Sequence, residues 1–313
     1  MHLERPARAW LGFGFGFASA VLLAAVGCGG AGSPTSPVVG TPVAVAPTPA
    51  PSPKVAILSV DGLRADAIAK AEAPNLKALA LRGAYTWAAR TVTPSETLPG
   101  HASMLSGEDP KVHKFTWDWD DYKPEKGFIT VPTVFSVARA AGHRTVAVVG
   151  KRKLQHLAPP AAVDSFTFTD RGDRDVANEA IVQAGVGFDL LFVHFPDVDY
   201  AGHGEGWMSA AYLAKVAEAD EAIGRLLAAL PAHTTVILTA DHGGKDRSHG
   251  PDVPENMTVP WIVAGPKVVR RGEMTARVKG TDTAATALWA LGLSLPGACA
   301  GEVVREPFTA PAP

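Results

Sequence analysis

Six side chains of the kind that binds metal ions stand at four separated places in this sequence. They are Asp61, Asp199, His203, Asp241, His242 and His249. Asp199 and His203 are four residues apart, a spacing that brings two side chains to the same side of a helical turn. Carboxylate oxygens together with imidazole nitrogens suit Zn²⁺, with Mn²⁺ or Fe as competitors. Because the chain has only 2 cysteines, Cys28 and Cys299, a zinc site built from four cysteines is excluded.

Each of these residues is weak evidence by itself, because an Asp after a strand is more often the N-cap of the following helix. Asp197 is an alternative to Asp199, although its six-residue spacing to His203 suits a shared metal less well. Glycines stand beside most of the candidates: Gly62, Gly202, Gly243, Gly244 and Gly250. Glycine permits the close backbone approach that a crowded ion site requires. The whole set therefore favours metal binding over capping.

Thr97 is the candidate nucleophile. It precedes Leu98-Pro99-Gly100-His101, and we expect it to be the N-cap of a short helix that has Pro99 in its first turn. In one interpretation Thr97 is only a cap. In the other, the free amides at the start of this helix attract a phosphate oxygen. A threonine hydroxyl is nearly inert at neutral pH unless a metal stabilises its alkoxide, so the second interpretation depends on the metal site.

Strands and helices alternate along the chain in a way that would position these residues. Short apolar runs at 55–60, 145–149, 189–195, 235–239 and 259–263 predict buried strands. Helical patterns lie at 73–82, 132–141, 208–230 and 282–291, the last with Asp282 as its N-cap. This alternation predicts a mainly parallel sheet covered by helices on both faces. Ligands in such sheets bind beyond the carboxyl ends of the strands, where Asp61, Asp199 and Asp241 stand.

The composition is that of a globular protein, with 47% hydrophobic and 19% charged residues. The formal net charge is -2, from 29 basic and 31 acidic residues, so the sequence offers no basic excess for binding nucleic acid. We expect one catalytic domain over residues 54–308. A tether of Pro, Gly, Ser and Thr at 29–53 precedes it, and a short tail at 309–313 follows.

The first 28 residues have the layout of a secretory signal. Arg5 and Arg8 precede an uncharged apolar run at 9–27, and small residues stand before Cys28. This resembles a bacterial lipobox, in which the cysteine is lipidated, and predicts a periplasmic or cell-envelope lipoprotein held at the membrane. Two alternatives stay open: simple secretion, and an uncleaved anchor, since the run is nearly long enough to span a bilayer.

In its motifs the chain resembles the alkaline phosphatase superfamily, closest to its nucleotide pyrophosphatase/phosphodiesterase-like branch. The resemblance covers about residues 54–308 and includes all the candidates above in the same order. It implies a three-layer α/β/α sandwich and two divalent metal ions. One metal would be held by Asp61, Asp241, His242 and the Thr97 oxygen, the other by Asp199, His203 and His249. It also implies in-line attack by Thr97 and a phosphothreonine intermediate.

One departure from the family concerns the phosphate. Family phosphodiesterases carry an Asn after the nucleophile that contacts a phosphate oxygen, and here Leu98, Pro99 and Gly100 follow Thr97. Other groups must then bind that oxygen, and our substrate-binding candidates are Lys151, Lys153 and Gly100. Some phosphomonoesterases of the superfamily use a basic pair from a comparable segment. The alternative is that the two lysines lie on a solvated loop.

These residues predict a phosphoric ester hydrolase acting on a small phosphorylated substrate. If the lysines reach the site, their charge favours a monoester dianion over a diester monoanion, so we expect a phosphomonoesterase. A phosphodiesterase or nucleotide pyrophosphatase is the alternative. A non-catalytic envelope protein that binds metal or a phosphate ligand is a third possibility, motivated by the missing Asn. Sulfatase chemistry is disfavoured, because the family's formylglycine motif is absent around Thr97.

Overall fold

The computed structural model describes residues 52–297 and 299–310. One sheet of eight strands runs through this part of the chain, in the order β4-β3-β5-β1-β6-β7-β2-β8. The strands are β1 (Lys54–Val60), β2 (Ala84–Arg90), β3 (Thr145–Val149), β4 (Ser165–Phe168), β5 (Leu190–Phe195), β6 (Thr234–Thr239), β7 (Thr258–Ala264) and β8 (Gly272–Glu273). β4, β3, β5, β1 and β6 are parallel, and β7 is antiparallel to both of its neighbours, β6 and β2.

Helices cover both faces of the sheet. They are α1 (Ala65–Lys70), α2 (Pro74–Arg82), α3 (Thr97–Ser106), α4 (Pro110–His113), α5 (Val134–Ala140), α6 (Asp173–Val186), α7 (Asp197–Glu205), α8 (Ala210–Ala229), α9 (Pro254–Met257) and α10 (Asp282–Leu291). Short 3₁₀ helices lie at Pro124–Lys126, Arg152–Leu157 and Glu306–Phe308. On one side α8 packs against α2, α6 and α7, and on the other α10 packs against α3 and α5. The predicted three-layer α/β/α sandwich is therefore confirmed.

The central strands are rich in apolar residues because both of their faces are covered. All residues of β5 and β6 are buried, and in β1 only Lys54, the first residue, is partly exposed. Parallel strands buried on both faces need no polar alternation, which is why short continuous apolar runs marked them in the sequence. The half-buried β2 and the edge strand β4 lack such runs, and the sequence pattern missed them.

Two predicted helix starts are wrong by one residue. Thr97 is the first residue of α3, and Glu96 is its N-cap. Asp282 is the first residue of α10, after Thr281 as N-cap. The carboxylate of Asp282 instead accepts hydrogen bonds from the backbone amides of Lys279 and Glu302, outside the helix. The polar side chain therefore ties two loops together, which local sequence does not reveal.

The predicted signal segment, Cys28 and nearly all of the predicted tether lie outside the described residues, as do the last three residues of the tail. Within 52–297 and 299–310, no helix has the length and apolarity to cross a membrane.

Candidate active site

Four neighbouring strands deliver polar residues to the same edge of the sheet. β3, β5, β1 and β6 are consecutive in the sheet and parallel. Asp61 follows β1, Lys151 follows β3 by one glycine, Asp199 lies in the first turn of α7 after β5, and Asp241 follows β6. This is the edge at which α/β sheets bind ligands. The three aspartates thus lie beyond the carboxyl ends of three parallel strands, at the edge that the sequence indicates.

The six predicted ligands form two clusters. Asp61, Asp241 and His242 make up the first cluster, and Asp199, His203 and His249 make up the second. In each cluster the potential ligand atoms lie within 4.8 Å of one another. Apart from the Thr97 oxygen, these are the two groups that the resemblance implied, assembled here from residues up to 181 positions apart. Asp197 lies in neither, because its carboxylate accepts a hydrogen bond from the Asp173 amide and its own amide donates to Asp173.

Each aspartate of the clusters has one oxygen held by hydrogen bonds and one oxygen free. Oδ1 of Asp241 accepts from the amides of Gly62 and His242. Oδ2 of Asp61 accepts from His194 and Lys151, and Oδ2 of Asp199 accepts from Lys151. The opposite oxygens, Asp61 Oδ1, Asp199 Oδ1 and Asp241 Oδ2, are buried and have no hydrogen-bond partner. Buried polar atoms rarely stay unpaired, so these three oxygens fit ligands of a cation.

The three imidazoles of the clusters present the nitrogen that a metal would use. Nδ1 of His203 lies 3.1 Å from the Arg247 carbonyl, Nδ1 of His242 lies 2.7 Å from the Gly243 carbonyl, and Nδ1 of His249 lies 2.8 Å from the Ser95 carbonyl. A carbonyl only accepts, so each Nδ1 carries the proton and each Nε2 has a free lone pair. This backbone-anchored tautomer is usual for metal-ligating histidines.

The lone pairs converge. Nε2 of His203 and Nε2 of His249 face each other at 3.0 Å, although neither carries a proton to share. Nε2 of His242 has no hydrogen-bond partner and lies 3.4 Å from Asp61 Oδ1 and 3.3 Å from Asp241 Oδ2. Acceptors that converge in this way repel one another unless a cation lies between them. The residues therefore fit one divalent metal ion in each cluster.

The electrostatics of the clusters agree with this fit. Burial raises the pKa of Asp241 well above its ordinary value, and the charge of Asp61 raises it further. Burial acts on Asp61 as well, but the Lys151 ammonium and the His194 hydrogen bond outweigh it and hold the pKa of Asp61 well below its usual range. Burial and the neighbouring His242 lower the pKa of His249 to about 4, so its imidazole is neutral at pH 7.

Thr97 stands at the start of α3, beside the second cluster and next to Lys151. Its side chain lines a cavity of about 350 Å³ together with Asp199, His203, His249 and Lys151. The Thr97 hydroxyl lies 3.4 Å from the Lys151 ammonium. His101 supports the turn, because its Nδ1 lies 2.8 Å from the Thr97 carbonyl and its Nε2 accepts from Ser59. The hydroxyl thus faces a polar cavity, which a helix cap alone would not require.

The substrate-binding candidates have different outcomes. Lys151 lies in the cavity and contacts Asp61 and Asp199. Lys153 also lines the cavity, but its ammonium pairs with Asp118 at 2.8 Å, so the two charges compensate each other. Both lysines are buried, which makes the interpretation as a solvated loop wrong.

Gly100 does not offer a free amide, because its N–H donates to the Glu96 carbonyl inside α3. The proximity of Asp241 explains the glycine instead: a Cβ at this position would lie 2.7 Å from the Asp241 carbonyl oxygen. Gly100 therefore lets α3, and with it Thr97, approach the first cluster. Its predicted role in substrate binding is not supported by this geometry.

Sequence reasoning missed two residues that hold the clusters. His194 lies inside the apolar run of β5, where local sequence indicates only a core residue, yet its Nε2 lies 2.8 Å from Asp61 Oδ2 and its Nδ1 accepts from the Gly150 amide. Trp207 donates from its indole to the Gly62 carbonyl at 2.9 Å. Its ring fills the space left by Gly202 and Gly244. Gly202 and Gly244 were the only signal in the sequence for the position of the Trp207 ring.

The aromatic-rich segment at 115–122 reaches the cavity through three consecutive residues, Asp118, Trp119 and Asp120. Trp119 and Asp118 line the cavity wall, and Trp119 packs against Trp117. Phe115 is buried in the core. The segment therefore both lines the mouth and covers the core. A separate cavity of about 510 Å³, between α1 and β7, is lined by Ile68, Trp87 and other residues outside the clusters.

Known proteins resemble this chain in sequence and in fold. The sequence profile of the family described as "Type I phosphodiesterase / nucleotide pyrophosphatase" matches residues 55–258. Human GPI ethanolamine phosphate transferase 2, catalytic subunit, is 26% identical over an alignment that covers 80% of this chain and 27% of that protein. The chain thus spans about a quarter of the length of this curated relative.

Two solved structures share the fold. A murine ectonucleotide pyrophosphatase/phosphodiesterase 5, an inactive threonine-to-alanine variant in complex with AMP, is 14% identical with a TM-score of 0.67. The match covers 78% of this chain and 96% of that one. A 2-O GAG sulfatase is 17% identical with a TM-score of 0.66, and the match covers 82% of this chain and 74% of that one.

Proposed function

Because the chain belongs to the type I phosphodiesterase/nucleotide pyrophosphatase family, we propose that it is a metal-dependent phosphoric ester hydrolase with Thr97 as its nucleophile. One observation carries the proposal. Three free carboxylate oxygens and three imidazole lone pairs converge in two clusters, the second of which lies beside the Thr97 hydroxyl. The murine relative, an inactive threonine-to-alanine variant that holds AMP, supports a threonine as the reactive residue.

The proposed reaction has two steps. Thr97 Oγ1 loses its proton and attacks phosphorus, so that the bond from Oγ1 to phosphorus forms while the ester bond to the leaving alcohol breaks. The alcohol takes up a proton, and a phosphothreonine remains. Water then attacks phosphorus, phosphate leaves, and Thr97 regains its proton. Divalent metals, bound by the two clusters, would supply positive charge that stabilises the alkoxide and the phosphoryl oxygens.

The chain's own groups hold the reacting atoms in place. α3 presents Thr97 at its first turn, and the His101 hydrogen bond to the Thr97 carbonyl keeps this turn fixed. The Lys151 ammonium, 3.4 Å from the hydroxyl, is within reach of a phosphoryl group that has joined Thr97. Burial of Thr97, which is 1% exposed, keeps bulk water from competing with the phosphate for these donors.

We infer a preference for phosphomonoesters from the charge of Lys151. A monoester is a dianion and a diester a monoanion near neutral pH, so each added positive charge at the phosphate favours the monoester. Lys151 pairs with Asp61 and Asp199, whose negative charge the bound metals would also share, so it would keep positive charge for the phosphate. Lys153 contributes less to this balance, because Asp118, its partner, lies outside both clusters. Phosphodiester or nucleotide pyrophosphate hydrolysis is the alternative. The description of the family and the AMP held by the murine relative favour this alternative.

Two substitutions at position 97, made in the enzyme loaded with Zn²⁺, test whether Thr97 is the nucleophile. Thr97→Ala should lower kcat on p-nitrophenyl phosphate by at least about 10³-fold, because the variant lacks Oγ1, the attacking atom. Thr97→Ser keeps the hydroxyl and should retain measurable turnover. Acid quenching of the wild type during turnover of ³²P-labelled substrate should trap label on Thr97, identified by peptide mass spectrometry. Full activity of Thr97→Ala on every ester would disprove the assignment.

The ester class is tested by comparing p-nitrophenyl phosphate with bis(p-nitrophenyl) phosphate on the same enzyme. We expect a higher kcat/KM for the monoester. A diester that reacts tenfold faster would favour the phosphodiesterase alternative while leaving the hydrolase in place. Two bound zinc ions without turnover of any ester would instead favour a non-catalytic binding protein.

We also propose that the protein is exported and held at the membrane through Cys28. The proposal rests on the basic start, the apolar run and the small residues before this cysteine. Mass spectrometry of the mature N-terminus in a bacterial host should find a lipidated Cys28, and Cys28→Ala should release the protein from the membrane fraction. An unmodified N-terminus elsewhere in the tether would support simple secretion.

A further inference from the structure

Lys151 joins the two clusters through a single ammonium group. Nζ lies 2.8 Å from Asp61 Oδ2 in the first cluster and 2.5 Å from Asp199 Oδ2 in the second. Its third donor points toward Thr97 Oγ1 at 3.4 Å. The residue is 7% exposed and stands at the carboxyl end of β3, two strands away from β1 in the sheet. All three donors of the ammonium therefore have partners within the site.

The oxygens that Lys151 takes are not the ones that face the clusters. Asp61 Oδ1 lies 3.4 Å from His242 Nε2, and Asp199 Oδ1 lies 3.6 Å from His203 Nε2. Both of these oxygens are free, and Lys151 contacts the opposite oxygen of each carboxylate. The ammonium thus does not compete for the cation positions. It fixes the rotation of two carboxylates so that the free oxygen of each points into its cluster.

The two aspartates depend on this contact to different extents. Asp61 Oδ2 also accepts from His194, so its rotation is held twice. Asp199 Oδ2 has Lys151 as its only hydrogen-bond donor among the described residues. The second cluster also contains His203, the exposed member of the six. Loss of Lys151 should therefore disturb the second cluster more than the first.

We propose that Lys151 is a positioning residue that orients Asp61 and Asp199 and thereby sets the geometry of both cation sites. This role rests on the proposed two-metal site and goes beyond a contact with the substrate phosphate. A lysine that only contacts phosphate repels the metals, and its removal should tighten their binding. A positioning lysine has the opposite effect, because its removal frees a ligand to rotate. The sign of the change in zinc affinity therefore separates the two roles.

Lys153 supplies the matched control. It follows the same strand, is 8% exposed and carries the same charge, but it pairs with Asp118 and contacts neither cluster. The test measures Zn²⁺ affinity by chelator competition, and metal content by mass spectrometry, on the full-length protein as wild type, Lys151→Met and Lys153→Met. Methionine keeps the length of the lysine stem and removes its charge.

We expect wild type to bind two zinc ions, and Lys151→Met to bind one of them at least about 10-fold more weakly, as is usual when a group that orients a metal ligand is lost. The affinity of the first cluster for its zinc ion should change less than that of the second cluster. Both zinc affinities of Lys153→Met should stay within about 2-fold of wild type. Lys151→Arg, which keeps charge and donors, should recover most of the affinity. If Lys151→Met does not fold, Lys151→Gln replaces it with the same expected asymmetry.

Two outcomes would overturn parts of this reasoning separately. Zinc binding in Lys151→Met that is equal to or tighter than in wild type, with a change in KM alone, would reject the positioning role and leave Lys151 as a phosphate contact. A wild type that binds no zinc at all would reject the proposed function itself.

Discussion

Trp207 packs against the segments that carry the two clusters, so we predict that one methyl group added beside its indole disturbs both clusters. A Cβ added at Gly244 would lie 2.0 Å from Cε2 of the indole, and one added at Gly202 would lie 2.5 Å from the same atom. Real Cβ atoms essentially never come within 3.0 Å of such a neighbour. Gly244 belongs to the loop that carries Asp241 and His242, and Gly202 belongs to the helix that carries Asp199 and His203. Gly244→Ala must therefore push the indole against α7 or move the loop.

The magnitude follows from the groups that shift. Overpacking a filled site costs about 1–3 kcal/mol, and loss of the hydrogen bond from Trp207 to the Gly62 carbonyl costs about 1 kcal/mol more. Replacing glycine also restricts the unfolded chain, which raises the free energy of unfolding by about 0.4–1 kcal/mol. We expect Gly244→Ala to lower the free energy of unfolding by about 1–3 kcal/mol. Zinc affinity should fall by about 10- to 100-fold, because ligands of both clusters are displaced.

The assay is urea unfolding of the metal-free protein, followed by zinc binding through chelator competition. Gly204→Ala is the matched control: Gly204 lies in the same helix as Gly202, and a Cβ there meets nothing within 4 Å. It should leave zinc affinity unchanged. A double variant, Gly244→Ala with Trp207→Leu, removes the ring that the new methyl group meets. Its loss of stability should be smaller than the sum of the single losses, because the two residues are in contact.

The reasoning would be refuted if Gly244→Ala matched Gly204→Ala in both stability and zinc affinity. Strict additivity in the double variant would show that the methyl group and the indole do not meet. Weakened zinc binding with unchanged stability would mean that the loop moves freely and that Trp207 does not hold it.

Two further histidines give predictions. His194→Phe removes the donor to Asp61 Oδ2 and should weaken zinc binding about 10-fold or more by chelator competition; unchanged binding would contradict its supporting role. Burial lowers the pKa of His113 to about 4. Between about pH 6.5 and 4 the unfolded chain then binds more protons than the folded protein. The free energy of unfolding should therefore decrease as the pH is lowered through this range, by up to about 1.4 kcal/mol per pH unit. Urea unfolding of His113→Gln should show a shallower fall, and equal slopes would contradict the assignment.

The sequence alone identified the six residues of the two clusters as candidate metal ligands, and the resemblance to the alkaline phosphatase superfamily implied their division into two groups. Each aspartate follows an apolar run that is buried on both faces, and such runs become parallel strands whose ends meet at one edge. The chemistry of Asp61, Asp199 and Asp241 could therefore be located without coordinates. The same pattern predicted the fold class. It missed β2 and β4, because half-buried and edge strands need no continuous apolar run.

Tertiary structure decided the orientation of each group within the site. In the sequence Lys151 and Lys153 are equivalent, yet one binds two cluster aspartates and the other binds Asp118. Which oxygen of a carboxylate is free, and which nitrogen of an imidazole carries the proton, depend on partners such as His194 and the backbone carbonyls. These partners come from distant parts of the chain.

The physical reason is the range of the interactions involved. Burial and strand formation depend on the residue types of short segments, so Val55–Val60 and Asp61 could be interpreted from local sequence. A hydrogen bond requires its two atoms to be placed to within a few tenths of an ångström, and only the packed sheet brings the segments that carry them together. The sequence therefore determined the elements and the ligand types, and packing decided how Lys151 and Trp207 hold them in place.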